Sequence, residues 1–325
     1  MDTRQKVLVT SDIPIEGIEL LQSHFDVQVF NSNCGIKREE LIKNIRDKQA
    51  VLCLLSDIID KEVMDSANEL KVISNYAVGY NNIDMAEATR RGIAITNTPD
   101  VLTNATADLA WTLLFSAARR VVEADIYTRH GNFKAWAPKL LLGQDITGRT
   151  IGIIGAGRIG RAFGKKAMAF DMEILYHNRT REESFEKECG ATWVEKEELL
   201  RRSDFVSLHC PLTPETKHLI GEKELSLMKS TSILINTSRG PVVDEIALAK
   251  ALEEKRIWSA GLDVYENEPY IEEKLLKLSN VVLLPHIGSA TIETRKKMSI
   301  MAAENIIAIL NGDIPKNVVN IELYP

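Results

Sequence analysis

The chain has 325 residues, about twice the usual single-domain length of roughly 150, and this length predicts two domains. Hydrophobic residues make up 45% of the chain and charged residues 26%. This balance excludes a disordered chain, a collagen-like repeat and a small disulfide scaffold. The formal net charge of -6 at pH 7 excludes recruitment to nucleic acid or to an anionic membrane through bulk electrostatics.

The cysteines and the apolar runs indicate the compartment. Cys34, Cys53, Cys189 and Cys210 are widely spaced, with neither a C-x-x-C pair nor a cysteine–histidine pattern suited to zinc, which predicts reduced thiols and no metal site. No apolar run approaches the roughly 18–20 residues that span a bilayer. The amino-terminal segment lacks the apolar core of a signal peptide. We therefore expect a cytoplasmic protein.

The first hundred residues alternate short apolar runs with amphipathic, helix-like stretches. The runs are KVLVTSD, VQVF, AVLCLLS, KVISNYAV and IAITNTP. Continuous apolar runs are typical of parallel strands that are covered on both faces. This alternation predicts right-handed βαβ units in a doubly wound sheet.

One long helical pattern follows, from Asp100 to Arg129. Its apolar face is Ala110, Leu113, Leu114, Ala117 and Val121. His130-Gly131 is expected to end it, as a glycine C-cap does. A helix near 30 residues is long for a globular core. It indicates a subunit interface, and hence a homodimer, or a helix that crosses between two domains; the two interpretations are compatible.

A second alternating series begins at Arg149 and predicts another parallel sheet. Its apolar runs are RTIGIIGAG, MEILYHN, DFVSLHCP, TSILINTS, WSAGLDVY and NVVLLPHIG. A final amphipathic helix from Ala290 to Leu310 follows. Its apolar stripe is Ile300, Ala303, Ile306, Ile307 and Leu310.

The first run of this series leads into a glycine motif, Gly155-Ala156-Gly157-Arg158-Ile159-Gly160. Gly155 permits a tight turn, Gly157 lets the backbone approach a pyrophosphate, and Gly160 lets the helix pack closely on the strand. The helix amino terminus offers free N–H groups to phosphates. A strand before the motif, a helix after it and a second strand complete the βαβ unit that a dinucleotide site requires.

The end of that second strand predicts which dinucleotide binds. NAD sites usually place an acidic residue about 20 residues after the motif, but Asn178 is neutral, and Arg179, Thr180 and a further candidate, Arg181, follow it. A carboxylate would repel a 2′-phosphate, whereas these donors would bind one. We therefore expect NADP(H), with weaker use of NAD(H).

Three further motifs follow predicted strands, at the sheet edge where open α/β sheets bind ligands. They are Asn236-Thr237-Ser238-Arg239-Gly240, the acidic segment GLDVYENEP at residues 261–269, and Pro285-His286-Ile287-Gly288-Ser289. The guanidinium fork of Arg239 could clamp a carboxylate. In isolation, each motif fits equally well a surface arginine, an acidic loop or a capping histidine.

Taken together and in this order, GAGRIG, NTSRG, GLDVYENEP and PHIGSAT resemble the D-2-hydroxyacid dehydrogenase family. Upstream, AVGYNNID and TNATADLAWTLLFSAARR match the remaining family signatures, so the resemblance covers nearly the whole chain. Within the family, NTPDVLTNATADLA, LYHNRTRE and NEPY are most similar to glyoxylate/hydroxypyruvate reductases.

The resemblance implies roles for individual residues. Arg239 would bind the substrate carboxylate and polarise the carbonyl, and His286 would be the general acid. Glu268 would hydrogen-bond the other ring nitrogen and favour imidazolium through its charge. Substrate contacts would come from Val78, Gly79, Arg239, His286 and, from the neighbouring subunit, Trp136. Cofactor contacts would come from Thr106, Gly155, Ala156, Gly157, Arg158, Ile159, Gly160, Asn178, Arg179, Thr180, Cys210, Pro211, Thr237, Ser238, Arg239, Asp263, His286 and Gly288.

The fold that the resemblance implies has two doubly wound parallel-sheet domains. Residues 1–99 would begin the substrate domain, 100–288 would form an inserted NADP-binding Rossmann domain, and 289–325 would return to the substrate domain. Hinges are expected near Pro99 and Pro285.

The implied activity is reduction of glyoxylate to glycolate, or of hydroxypyruvate to D-glycerate, by hydride transfer from NADPH. An NAD-dependent relative of the D-lactate or 3-phosphoglycerate type stays an alternative, as does a nucleotide-sensing corepressor-like module. A formate dehydrogenase is disfavoured because that branch has glutamine where this chain has Glu268.

Overall fold

The computed structural model describes residues 4–32 and 35–324, and the chain divides into two compact units. One unit is Met1–Leu102 together with Ser289–Pro325, and the other is Thr103–Gly288. Residues 100–102 thus fall in the first unit. Each unit is an α/β structure built on a parallel sheet, so the predicted fold class is confirmed.

The strands and helices alternate along almost the whole chain. In chain order, the strands are β1 (Lys6–Val9), β2 (Asp26–Val29), β3 (Ala50–Cys53), β4 (Val72–Asn75), β5 (Ala94–Thr96), β6 (Thr150–Ile154), β7 (Glu173–His177), β8 (Thr192–Trp193), β9 (Phe205–Leu208), β10 (Ile233–Asn236), β11 (Ser259–Leu262) and β12 (Val281–Leu283). The helices are α1 (Ile15–His24), α2 (Arg38–Asn44), α3 (Lys61–Ser66), α4 (Met85–Arg90), α5 (Thr103–Ala118), α6 (Val121–Arg129), α7 (Arg158–Ala167), α8 (Glu183–Cys189), α9 (Lys196–Arg202), α10 (Glu222–Leu227), α11 (Glu245–Glu253), α12 (Glu273–Lys277) and α13 (Ile292–Asn311).

In the first unit, the described residues form a five-stranded parallel sheet with strand order β2-β1-β3-β4-β5. The inner strands β3 and β4 are buried along their whole length, as their continuous apolar runs predict. Helix α13 packs on α1 and on β4. A Cβ at Gly17 of α1 would lie 2.4 Å from the carbonyl oxygen of Ser299, so glycine is what lets these two helices approach.

The second unit, every residue of which is described, holds a seven-stranded parallel sheet with order β12-β11-β10-β9-β6-β7-β8. The strand order reverses between β6 and β9, and such a switch point opens a crevice at the carboxyl ends of the two strands. Helix α5 packs on β10, β11 and α7, and its residues Ala110, Leu113, Leu114 and Ala117 are buried. The predicted apolar face is therefore a core face of this unit.

The single helix predicted over residues 100–129 is wrong, because the structure has two helices there. Helix α5 ends at Ala118, and Arg120 adopts a left-handed backbone with φ of 54° before α6 begins. The returning chain explains the break, since the N–H of Gln144 donates to the Ala118 carbonyl at 2.8 Å and so replaces the next helical hydrogen bond. Val121 is consequently 49% exposed. Helix α6 ends at Arg129, where Gly131 has a φ of 70°.

The described cysteines Cys53, Cys189 and Cys210 are buried free thiols, and Cys34 lies outside the described residues. No described helix combines the length and apolar character needed to cross a membrane. Within the same residues, no group of three or more histidine, cysteine, aspartate or glutamate side chains is arranged to hold a metal ion.

Candidate active site

The glycine motif lies at the switch point of the second unit, between the end of β6 and the start of α7. Gly155 has a φ of 97°, and a Cβ there would lie 2.5 Å from the backbone nitrogen of Cys210, which follows β9. A Cβ at Gly160 would lie 2.1 Å from the Gly155 carbonyl oxygen. A Cβ at Gly157, by contrast, would meet no atom within 4 Å. The fold requires the first and third glycines, and the second leaves open space beside the amino terminus of α7.

The end of β7 is fastened to this motif. Asn178 Oδ1 accepts a hydrogen bond from the Ala156 N–H at 2.9 Å, which leaves the side-chain amide of Asn178 as a donor. Trp193 Nε1 donates to the Asn178 carbonyl at 3.0 Å. Arg179 and Thr180 follow and are exposed.

Arg181, which follows Thr180, pairs with an acidic side chain of α8. Its guanidinium donates two hydrogen bonds to Glu186, at 3.0 and 2.9 Å. The Tyr176 hydroxyl also donates to Glu186 and accepts from the Glu182 N–H, each at 2.7 Å. The Arg181 guanidinium is thus engaged in an ion pair with Glu186.

The Asn236-Thr237-Ser238-Arg239 segment follows β10, and Asn236 fixes its shape. Asn236 is buried, and its Oδ1 accepts from the N–H and the hydroxyl of Ser238 while its Nδ2 donates to the Arg239 carbonyl at 3.0 Å. Arg239 Nη1 donates to the Ser238 carbonyl at 2.7 Å. Burial lowers the pKa of the Arg239 guanidinium, opposed by the charge of Glu268. A partly desolvated cation of this kind favours an anionic ligand.

Glu268 and His286 form a hydrogen-bonded pair beside that cation. The Nδ1–H of His286 donates to Glu268 Oε2 at 2.8 Å, and Glu268 Oε1 accepts from the Tyr265 N–H at 3.0 Å. Burial alone would raise the pKa of Glu268, but the hydrogen bond and charge of His286, the Tyr265 N–H and the charge of Arg239 together lower it. Glu268 is therefore held as an anion against the Nδ1 side of the ring.

Asp263, after β11, orients the histidine segment. Its Oδ1 accepts from the Ile287 N–H at 2.7 Å, next to His286, which adopts a left-handed φ of 54°. Non-glycine residues rarely adopt this conformation, and such residues cluster at active sites. Burial raises the pKa of Asp263, against the Ile287 hydrogen bond and the charge of His286.

Two buried oxygens in this unit have no hydrogen-bond partner, Asp263 Oδ2 and Thr237 Oγ1. A Cβ on Gly288 would lie 3.2 Å from Asp263 Oδ2 and 3.4 Å from Thr106 Cγ2. Buried polar atoms normally find a partner. These two orphaned oxygens therefore mark where a ligand's polar groups would bind.

Most of the candidate residues thus lie at the carboxyl ends of strands of one sheet. These residues follow β6, β7, β9, β10, β11 and β12. They are the motif at residues 155–160, Asn178, Cys210, Thr237, Arg239, Asp263, Glu268, His286 and Gly288. Pro211 follows Cys210, and Thr106 lies in the first turn of α5. Trp136 is separate from them, 81% exposed on the segment after α6.

Val78 and Gly79 lie in the first unit, in the loop after β4. The carbonyls of Gly79 and Val78 accept from Asn75 Nδ2 and Asn97 Nδ2, at 2.7 and 2.8 Å. None of the hydrogen bonds between described residues is donated by the N–H of Val78 or Gly79. The loop is thus held by its carbonyls, and both amides stay available.

Sequence reasoning missed two residues that hold the site. Asn236 lies in the NTSRG motif, and an asparagine at the start of a turn is a signal for a side-chain-to-backbone hydrogen bond. Tyr265 was missed as well, and its hydroxyl donates to the Leu284 carbonyl at 2.8 Å, two residues before His286.

Comparison with known proteins identifies the family. Residues 111–288 match the family model described as D-isomer specific 2-hydroxyacid dehydrogenase, NAD binding domain. A glyoxylate reductase from Thermococcus kodakarensis is 54% identical over 324 residues, covering 98% of this chain and 97% of that protein. One from Pyrococcus horikoshii is 53% identical with the same coverage. The chain belongs to the D-2-hydroxyacid dehydrogenase family.

Solved structures of D-2-hydroxyacid dehydrogenase relatives have the same fold. A protein from Thermus thermophilus superposes with a TM-score of 0.92 at 44% identity, covering 97% of this chain and 100% of that chain. An NADPH-dependent glyoxylate/hydroxypyruvate reductase from Sinorhizobium meliloti, in complex with NADP and malonate, has a TM-score of 0.86 at 33% identity and covers 98% and 97% of the two chains.

Membership of the D-2-hydroxyacid dehydrogenases implies a nicotinamide cofactor and a small 2-hydroxy or 2-keto acid substrate. The residues at the second unit's switch point fit such a cofactor. The open space at Gly157 would admit a pyrophosphate beside the helix amino terminus, and the two orphaned oxygens would accept hydrogen bonds from its polar groups.

Proposed function

We propose that this chain reduces glyoxylate or hydroxypyruvate to the corresponding 2-hydroxy acid, with NADPH as the hydride donor. The observation that carries the proposal is the 2.8 Å hydrogen bond between Glu268 and His286, in the electrostatic field of Arg239. Reduction of a 2-keto acid needs a cation for the carboxylate and an acid for the carbonyl oxygen, and these side chains supply both. The glyoxylate reductases that the chain resembles support the choice of substrate.

Each side chain has a separate task in the proposed reaction. Arg239 binds the substrate carboxylate with its fork and polarises the carbonyl. His286, protonated on both ring nitrogens, gives the proton of Nε2 to the carbonyl oxygen. Glu268 fixes the ring through Nδ1 and stabilises its charged form. A bound nicotinamide supplies the hydride, and its binding is assigned to the glycine motif, Asp263 and Thr237.

The residues at the end of β7 support NADPH over NADH. Asn178 places no carboxylate where a ribose 2′-phosphate would bind, and its oxygen is already engaged by the Ala156 N–H. Arg179 and Thr180 are exposed donors next to it. Arg179 and Thr180 are therefore the proposed 2′-phosphate ligands, and Arg181 is not.

Steady-state kinetics with a panel of 2-keto acids, NADPH and NADH tests the proposal. We expect glyoxylate or hydroxypyruvate to have the highest kcat/KM, with NADPH preferred by at least about tenfold, or about 1.4 kcal/mol. Combining Asn178→Asp with Arg179→Ala should reverse the cofactor order. Equal use of NADH by the parent protein would instead support the NAD-dependent alternative.

Arg181→Ala is the matched control for this experiment. It removes an equivalent positive charge two residues from Arg179, but one whose fork is held by Glu186. We expect the ratio of kcat/KM with NADPH to kcat/KM with NADH to change by less than about twofold, because charge-assisted hydrogen bonds act at short range. A fall in this ratio as large as that caused by Arg179→Ala would mean that general positive charge, and not Arg179, sets the cofactor preference.

We also propose that the chain is a homodimer, with the segment after α5 in the interface. Val121, Val122, Ile126 and Phe133 are 49%, 44%, 48% and 57% exposed, which is unusual for large apolar side chains so close together. Trp136 on this segment is the proposed contact to the neighbouring subunit's substrate. Light scattering at micromolar concentration should give twice the mass of one chain, and the mass of a single chain would contradict the proposal.

A further inference from the structure

The loop that carries Glu268 is fastened at both ends to one buried side chain. Glu245, the first residue of α11, is only 6% exposed. Its Oε1 accepts a hydrogen bond from the Glu266 N–H, and its Oε2 accepts one from the Glu272 N–H at 3.2 Å. One carboxylate thus spans the base of the 266–272 loop.

Inside that loop, the hydrogen bonds lead to the histidine. The Tyr270 N–H donates to the Asn267 carbonyl at 2.9 Å and closes the turn. Glu268 lies in the same turn and reaches His286 with one oxygen and the Tyr265 N–H with the other. The placement of Glu268 therefore depends on the two ends of the loop that Glu245 holds.

A role for Glu245 in helix formation does not explain its burial. Asp244 already caps α11, since its side chain accepts from the Ala247 N–H at 2.9 Å. Burial raises the pKa of Glu245; the loop N–H groups of Glu266 and Glu272 oppose this, while the negative charges of the same two residues add to it. His218 Nε2 faces Glu266 at 2.6 Å. Both oxygens of the buried Glu245 carboxylate accept hydrogen bonds from the loop and none from the described residues of α11.

We propose that Glu245 is a positioning residue for the acid–base pair, acting by clamping the 266–272 loop so that Glu268 stays against His286. The proposal rests on the roles of Glu268 and His286 in the proposed function. Glu245 touches neither substrate nor cofactor in this account.

A double-mutant cycle on kcat tests the coupling. Glu245→Gln keeps the size of the side chain but provides one acceptor oxygen, and its NH₂ group would face an N–H donor. In the parent protein, this substitution should lower kcat by about tenfold, because a loosened catalytic group loses its alignment. In a Glu268→Gln background, the same substitution should change kcat by less than about twofold.

A pH profile and two controls separate positioning from general destabilisation. The alkaline limb of kcat for Glu245→Gln should move to lower pH, in the same direction as for Glu268→Gln, while the Kd for NADPH stays at the parent value. Glu253→Gln removes an exposed carboxylate from the same helix and should behave like the parent. The assay uses whichever 2-keto acid and cofactor the parent uses fastest, so a wrong substrate does not affect the cycle.

A second pair of variants applies if Glu245→Gln does not fold. Glu272 has a φ of -53°, which proline adopts without strain. Glu272→Pro therefore removes the side chain and also the N–H that donates to Glu245 Oε2. Glu272→Ala removes the side chain and keeps the N–H. Glu272→Pro should lower kcat more than Glu272→Ala does.

Four outcomes would overturn the proposal, and they point to different faults in it. Additive losses in the cycle, or an unshifted alkaline limb, would show that Glu245 acts independently of Glu268 and leave the proposed function intact. Equal effects of Glu272→Pro and Glu272→Ala on kcat would show that the hydrogen bond from the Glu272 N–H to Glu245 does not position Glu268. Full activity of Glu268→Gln alone would refute the acid–base pair itself, and with it the role of Glu245.

Discussion

The two sheets have the same doubly wound design, but the crevices at their switch points are filled differently. In the first unit the order reverses between β1 and β3, and there the Thr10 hydroxyl and the Leu54 N–H both donate to buried Asp57, at 2.5 and 2.8 Å. In the second unit, the reversal between β6 and β9 leaves three glycines, with open space at Gly157.

Topology thus provides a crevice, whereas the residue types at the strand ends decide whether a ligand can enter it. The first unit satisfies its polar groups at the switch point with its own side chains. Its unpartnered threonine hydroxyls, on Thr96 and Thr98, lie at the end of the edge strand β5. The second unit leaves Asp263 Oδ2 and Thr237 Oγ1 unpartnered along the ligand-binding edge. The second unit is therefore the one suited to bind a nucleotide cofactor.

The largest effect should come from removing the proposed acid of the second unit. His286→Ala should lower kcat for 2-keto acid reduction by roughly two to four orders of magnitude, because no other group would protonate the carbonyl oxygen. Fluorescence titration should find NADPH affinity close to that of the parent. A kcat within a factor of three of the parent would assign the acid to another residue.

A smaller but distinct effect is expected at the substrate cation. Arg239→Lys keeps the charge and loses the planar fork, so KM for the keto acid should rise by about ten- to a hundredfold. The KM for NADPH should change much less, and initial-rate kinetics with each substrate varied separately measures both. If KM for the keto acid is unaltered while kcat alone falls, Arg239 acts on the transition state and does not hold the carboxylate.

Two substitutions, one in each crevice, should have opposite effects on stability and on cofactor binding. Gly157→Ala puts a methyl group into space that is open in the structure, so stability should hold while the Kd for NADPH rises by about tenfold. Asp57→Ala in the first unit should cost about 1–3 kcal/mol of stability, because Thr10 and Leu54 lose their acceptor. Its Kd for NADPH should stay at the parent value.

Thermal unfolding and cofactor titration of both variants give the readout. The opposite pattern, with Gly157→Ala destabilised and its NADPH affinity intact, would mean that the open space at Gly157 is not where the cofactor binds.

Much of this architecture could be predicted from the sequence, because periodicity and strand-end motifs are local signals. The apolar runs predicted buried parallel strands, and glycine spacing predicted the turn at Gly155. The break at Arg120 could not be predicted, since it depends on Gln144 returning to take the Ala118 carbonyl. The C-terminal helix was predicted correctly as a helix. Its buried face also includes Met298, Ala302 and Asn305, because packing on α1 and β4 decides which face is buried.

In the candidate site, the sequence predicts which residue types are present but not which side chains form hydrogen bonds with each other. His286 and Glu268 stood out in their motifs, whereas nothing in the sequence showed that Glu186 holds Arg181 or that Glu245 spans the 266–272 loop. Such pairings join side chains and backbone groups that only the fold brings together.

Whether Glu268 keeps His286 in the form of a proton donor is decided by the pH–rate profile of Glu268→Gln. Glutamine preserves the side-chain size but removes the anion next to the ring. Reduction needs the imidazolium, so activity is present at low pH and is lost as the ring deprotonates. Without the anion beside the ring, the alkaline limb of kcat should move to lower pH. An alkaline limb at the parent position, with kcat unchanged, would contradict the pairing of Glu268 with His286 in catalysis.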